Sequence, residues 1–388
     1  MKVSYKIFIV AGEASGDLHG AGLVSALKDR IPQASFTGIG GEKMRNAGVD
    51  LLFTNTDLAV VGITEVLAQI IPIVRAFSLT VSWIRRERPD LVILIDYPEF
   101  NLMVAGRARK AGIPVFYYIS PQVWAWRRGR VKKIRRRVDR MAVILPFEQE
   151  FFRSHHVKAD FVGHPLVDTV WSGMSRTEFC TEHGLDPSLP LVGLVPGSRH
   201  GEVTRLFPVM SGAAGVIRAE MPQTQFVIPL APTIDEGLLR IDEYPVFRTR
   251  DDRPAVCAGE TYEAISASDV ILATSGTVTL EAAVLGTPMV VTYRVSPVSG
   301  VLGRFLIHVQ YASLVNLVAG REVVPELLQD QATPDALAEE VLFMLRDKAR
   351  RMRMKEDLRD VTRRLGSGGA AGRAADLALE IIERNRIR

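Results

Sequence analysis

The chain has 388 residues, 47% hydrophobic and 24% charged, which predicts a soluble globular protein too long for one ordinary core and built as two domains. No stretch reaches the roughly 18 uninterrupted apolar residues of a membrane-spanning helix, and two distant cysteines, Cys180 and Cys257, argue against a disulfide framework or a zinc knuckle. The net charge of +4 is uneven: residues 127 to 137, RRGRVKKIRRR, hold eight basic residues and no acid, and a second basic cluster runs from Arg346 to Lys355. Such runs are solvated helix faces or contacts to phosphate-bearing partners. The seven histidines have no metal-ligand spacing, so no metal is expected.

The first element, KIFIVAG, reads as a buried strand rather than a secretory signal, and it runs into a loop with Gly12, Glu13, Ser15, Gly16 and Asp17 before a helix. The loop is not G-x-G-x-x-G at its start, and no acid ends the second strand, SFTGIGG, so dinucleotide binding is poorly supported. Two readings remain: a tight turn with Asp17 as N-cap, or a loop whose Gly12 and Gly16 let amides approach a ligand. Residues 58 to 77 are apolar on nearly every side, through Val60, Val61, Leu67, Ile70, Ile71, Ile73, Val74 and Phe77. One reading is a buried core helix. Pro72 argues against a long regular helix and for an exposed apolar ridge. In LVILIDYPEFN, Asp96 ends a fully apolar strand, with Glu99 and Asn101 on the same rim. It is either a catalytic carboxylate or a cap for the helix near Pro98. VFYYIS and RMAVILP continue the series. Trp124, Trp126 and the basic run lie in the same half-chain as the ridge, which makes an interfacial membrane patch.

A break at Gly163 to Asp168 separates a second series of strands, LVGLVPGSR, TQFVIPL, DVILATS and PMVVTYR. Alternation of strands and helices predicts an α/β fold with two Rossmann-like domains, each a parallel sheet, facing a central cleft. The predicted domains are 1–165 and 166–367, and a helix at about 368–388, after the joint GSGGAAG, completes the first. In the second domain, Gly197, Ser198 and Arg199 precede a helix start and suit a diphosphate. Ser275, Gly276 and Thr277 open another helix. Glu281, one turn in, is placed to accept from ribose hydroxyls. Together these describe a GT-B glycosyltransferase holding a sugar nucleotide in its C-terminal domain.

The segments AGEASGD, IDYPEFN, SPQVWAWRRGRV, LPFE, FVGHP, PGSR followed by GEV, SGTVTLE and NLVAGREVVPELLQ resemble, in order, the lipid-A-disaccharide synthases over nearly the whole chain. The resemblance implies inverting, metal-independent transfer of 2,3-diacylglucosamine from its UDP form to 2,3-diacylglucosamine 1-phosphate, with no cofactor. It implies Asp96 as general base, and Arg199 with the amides around Ser275 and Gly276 on the leaving UDP. Glu281 would fix the ribose, Asn316 would join the donor site, and the loop from Gly12 to Asp17 would lie with Asn101 on the acceptor side. The family typically has Pro before that Asn; here Val315 stands there. Expected partners are the two acylated sugars, an anionic membrane surface on the cytoplasmic face of the inner membrane and a second copy in a homodimer, with no nucleic acid. Two other classes compete. A soluble relative such as a UDP-GlcNAc 2-epimerase or the peptidoglycan N-acetylglucosaminyltransferase needs no acylated acceptor of this kind. A polybasic adaptor leaves both nucleotide-type loops unexplained.

Overall fold

The computed structural model describes residues 5–54, 66–125, 128–249, 252–295 and 309–386, with the side chains of 66–70 excepted. The chain divides into two units, Met1–Asp168 with Gly366–Arg388, and Thr169–Leu365. No helix among the described residues is long and apolar enough to cross a membrane.

The first unit holds strands β1 (Lys6–Ala11), β2 (Ser35–Gly40), β3 (Val49–Thr54), β4 (Leu91–Ile95), β5 (Val115–Tyr118), β6 (Arg140–Val143) and β7 (Ala159–Phe161). They form one sheet in the order β3-β2-β1-β4-β5-β6-β7, and the paired strands are parallel. Successive side chains of a strand point to opposite faces. Thus Phe8 and Val10 join one apolar cluster and Ile7 and Ile9 another. The first cluster is closed by the helices Val66–Glu87, Pro98–Lys110 and Val131–Arg137, through Ala76, Ile84, Phe100, Val104, Val131 and Ile134. The second is closed by Ala14–Arg30 and, from the far end of the chain, Ala370–Arg386, through Leu23, Leu27, Ala374, Ala378 and Ile382. Burial on both faces is why the central strands are uninterrupted apolar runs.

The helix Val66–Glu87 continues through Pro72, against the sequence expectation of a break. Proline removes one hydrogen bond, to the carbonyl four residues earlier. The turns that follow are anchored by buried Ala76, Thr80 and Ile84, and by Trp83, whose tilted ring lies 4.9 Å from that of Phe8.

The second unit holds β8 (Leu191–Val195), β9 (Gln225–Leu230), β10 (Ala255–Ala258), β11 (Val270–Thr274), β12 (Met289–Tyr293) and β13 (Glu326–Leu328), in the order β10-β9-β8-β11-β12-β13, again with parallel pairing.

Candidate active site

In the first sheet the strand order reverses between β1 and β4, where Ala11 pairs with Ile95. The next residues, Gly12 and Asp96, therefore emerge side by side at the topological switch point, where open α/β sheets take their ligands. Asp96 and Tyr97 both adopt left-handed backbone, φ +44° each. Such residues cost about 1–3 kcal/mol each and persist only where their surroundings hold them. Here the Asn101 amide donates to the carbonyls of Ile95 (3.0 Å) and Asp96 (2.7 Å), and the Tyr117 hydroxyl donates to the Asp96 carbonyl. The N-cap of the following helix is Tyr97, with no side-chain cap, so the Asp96 carboxylate is not spent on capping. Burial pushes the Asp96 carboxyl up to about 6, the nearby Glu13 charge adds to the rise, and the Tyr97 amide opposes it. Burial, followed by the charge of exposed Glu13, also raises the Tyr97 hydroxyl.

Gly12 is required by this turn. A Cβ there would stand 2.4 Å from the Tyr97 ring. Behind the rim, the buried Glu148 carboxylate accepts from Ser120 Oγ (2.6 Å), Trp124 Nε1 (2.9 Å) and the Leu145 amide (3.0 Å). It thereby ties SPQVWAW to LPFE, two segments whose relation was not visible in the sequence.

The second sheet reverses between β8 and β11, where Val195 pairs with Ala273. The loops that follow are PGSR and TSGT. Gly197 has φ +118°, a conformation that favours glycine, and a Cβ there would also meet Glu202 Oε2 at 2.6 Å. Glu202 folds back over this loop, accepting from the Ser198 amide (3.3 Å) and from Arg199 (3.0 Å). The Arg199 side chain is 79% exposed. Glu202 is only 12% exposed, but the solvated guanidinium keeps the pair weak and able to exchange onto an anion. In TSGT the Ser275 amide donates to the Thr292 carbonyl and its hydroxyl to Ala312, so Ser275 serves the fold. At the start of the helix Val278–Leu285 the amides of Thr279 and Leu280 already donate to the Gly276 (3.2 Å) and Thr277 (2.9 Å) carbonyls, which leaves those of Gly276, Thr277 and Val278 to meet a ligand. Half-buried Glu281 lies in that turn, raised by burial and accepting from Tyr262 at 3.4 Å.

Residues 7–381 match the profile of the family described as lipid-A-disaccharide synthetase. The chain is 49% identical over 381 residues to the lipid-A-disaccharide synthase of Syntrophus aciditrophicus, and 48% identical over 379 residues to that of Geobacter sulfurreducens, covering 98% of each chain in both cases. The chain belongs to the lipid-A-disaccharide synthase family. Its place in this family makes it a glycosyltransferase of lipid A biosynthesis. The fold is the one seen in the calicheamicin glycosyltransferase CalG4 (TM-score 0.60, 18% identity, 98% of this chain and 99% of that one). It is also seen in the UDP-GlcNAc 2-epimerase from Neisseria meningitidis bound to UDP-GlcNAc (TM-score 0.58, 13% identity, 98% and 99%). These likenesses establish the GT-B architecture expected from the sequence.

Several expected site residues of this synthase family member have other work. Asp17 is not an N-cap; Glu13 holds that position, and buried Asp17 accepts from the amides of Gly41 (2.7 Å), Lys43 (3.1 Å) and Met44 (3.0 Å) at the start of the next helix. Gly16 is buried on β1 and Ser15 is exposed. Asn316 is fully buried: its oxygen accepts from the amides of Val323 and Val324, and its amide donates to Val324 and Glu326. It shapes a loop and presents no group to a ligand. Val315 is the second residue of the helix Leu314–Ala319, a position where a proline would lose no helical hydrogen bond.

Of the apolar ridge, Val60 and Val61 lie outside the described residues, as do the side chains of Leu67 and Ile70. Ile73 and Phe77 pack on the core, Phe77 edge-on to Phe100 at 6.0 Å, so these two are not surface residues as expected. Ile71 and Val74 are exposed, by 71% and 54%. Trp126 is outside the described residues, and Trp124 is buried.

Proposed function

We propose that this glycosyltransferase joins two acylated sugars, moving 2,3-diacylglucosamine from UDP to the 6-hydroxyl of 2,3-diacylglucosamine 1-phosphate. The attacking oxygen forms a bond to the anomeric carbon as the bond to the diphosphate breaks, and the configuration there inverts. Asp96 takes the hydroxyl proton. Arg199 and the amides of Gly276 and Thr277, just ahead of the helix Val278–Leu285, receive the charge that develops on UDP, and Glu281 accepts from the ribose. No metal enters this step. The observation that carries the reading is Asp96: a carboxylate raised to about 6, free of capping duty and held by an over-determined turn at a switch point. A base poised near the operating pH is what general catalysis needs.

The acylated substrates place the reaction at a membrane surface, here the cytoplasmic face of the inner membrane. The exposed Ile71, Val74 and Met103 support this, as do the exposed Lys132, Lys133, Arg135 and Arg136. All seven sit on the three helices of one layer of the first unit. Apolar side chains would enter the acyl boundary while cations meet lipid phosphates, each worth about 1 kcal/mol near an anionic surface.

The test is UDP release, measured with acylated and unacylated donors, with and without the acylated acceptor. Release that needs both acylated sugars is expected. Turnover or epimerisation of UDP-GlcNAc without the acceptor would reject the reading in favour of an epimerase-like activity.

A further inference from the structure

We propose that His183 Nδ1 and Cys257 Sγ of the second unit bind a thiophilic divalent cation, with Zn2+ the ion that fits best, while Glu260 orients the imidazole and solvent completes the coordination. One potential ligand atom from each lies within 4.8 Å of those of the other two. The geometry is directional. Cys257 Sγ stands 3.7 Å from His183 Nδ1, while Glu260 Oε2 stands 2.7 Å from Nε2 on the other side of the ring. Zinc bonds of about 2.3 Å to sulfur and 2.0–2.1 Å to nitrogen, at a tetrahedral angle, set the two ligand atoms about 3.6 Å apart. The observed separation is therefore close to that of a bridged pair. The carboxylate accepts from Nε2–H, which leaves Nδ1 as the nitrogen with a lone pair facing the sulfur. This is the carboxylate–histidine arrangement that orients imidazole ligands in zinc sites.

Three further features support a built site. Cys257 lies on β10 and is buried, so the sulfur is held rather than free on a loop. The imidazole is packed against the Phe179 ring, centroids 4.5 Å apart. Glu260 is the N-cap residue of the helix Thr261–Ala267 but makes no side-chain cap, so its carboxylate is committed to the cluster. His183 and Glu260 keep side-chain exposures of 19% and 31%, which leaves an entry path from solvent. A thiolate ligand selects Zn2+ over the oxygen-seeking Mg2+. On binding, the thiol proton leaves to solvent as the sulfur–metal bond forms, and no electron is transferred. His183 and Cys257 are 74 residues apart along the chain, which is why histidine and cysteine spacing did not reveal them.

The experiment is a Co2+ titration of the metal-stripped full chain, followed by back-titration with Zn2+. A thiolate-to-cobalt charge-transfer band saturating at one equivalent, and abolished by Zn2+, is expected. Cys257→Ala should lose the band, Cys180→Ala should keep it, and Glu260→Gln should weaken binding about ten- to a hundredfold. Should Cys257→Ala fail to fold, His183→Gln provides the comparison, together with a rise in wild-type Tm on adding Zn2+ that this variant lacks. Absence of the band in wild type, or its persistence in Cys257→Ala or His183→Gln, overturns the site and leaves a thiol hydrogen-bonded to an imidazole.

Discussion

The Tyr117 hydroxyl donates to the main-chain carbonyl of Asp96 at 2.5 Å, and the Asn101 amide takes the same oxygen from the other side at 2.7 Å. Both donors are fully buried. Together they hold the left-handed turn that carries the Asp96 carboxylate, so in the proposed mechanism they are positioning residues. Tyr117→Phe removes one bond, a net loss of about 0.5–1.5 kcal/mol. We expect kcat to fall about tenfold with KM changed less than about twofold, and the acidic limb of the pH profile to move. A wild-type kcat and profile in Tyr117→Phe would remove its positioning role.

The raised Asp96 carboxyl makes two linked predictions. As a base it must be ionised, so kcat/KM should fall below about pH 6, by about tenfold per pH unit. For stability the sign is opposite. A carboxyl raised from 3.8 to about 6 by folding makes the folded state bind the proton more tightly. The ionised form therefore costs stability, increasingly from about pH 4 and fully above about pH 6. Asp96→Asn should abolish turnover yet stabilise the protein at pH 7 by up to about 3 kcal/mol, a gain that vanishes below about pH 4. Chemical denaturation of both proteins at the two pH values checks this; equal stability at pH 7 would mean the carboxylate is well solvated.

Legibility in the sequence followed burial. The strands expected from apolar runs include β1, β4, β5, β8 and β11, which have neighbours on both sides and helices on both faces. The four strands not foreseen, β3, β7, β10 and β13, are the edges of the two sheets, short or mixed in polarity: VDLLFT, ADF, AVCA and ELL. Asp96 was legible because a lone acid ends an apolar strand. Tyr117 was not, since a tyrosine within VFYY reads as one more core residue, and its hydroxyl partner lies 21 residues away. Asn316 entered the expected site through the family resemblance alone, and its side-chain amide serves four main-chain and side-chain partners within the fold.

Glu202 and Arg199 give predictions of opposite sign for UDP binding. Arg199→Ala removes a charge-assisted contact of about 1.5–3 kcal/mol and should weaken UDP ten- to a hundredfold. Glu202 occupies both Arg199 and the Ser198 amide, so in the proposed donor site it would compete with the diphosphate. Glu202→Gln should tighten UDP a few-fold in calorimetric titration. Weakening by both substitutions would mean that Glu202 chiefly supports the Gly197 turn.

The apolar helix offers a separation of roles. Ile71→Ser with Val74→Ser should reduce binding to anionic vesicles and leave Tm unchanged, since both side chains are exposed. Phe77→Ser should instead lower stability by about 2 kcal/mol or more, because its ring packs on Phe100. Vesicle co-sedimentation beside thermal melts distinguishes them; undiminished vesicle binding by the double variant would place the membrane contact elsewhere.

The helix Ala370–Arg386, which covers one face of the first sheet beside Ala14–Arg30, has a consequence for biogenesis. A ribosome delivers the β1 to β7 region early, but Ala374, Ala375, Ala378 and Ile382 emerge only after the whole second unit. Until then the nascent first unit exposes the groove lined by Leu23, Val24 and Leu27. Such surface is what chaperones and aggregation compete for. Translation order thus makes the second unit the first able to finish folding, although it is the second to be made.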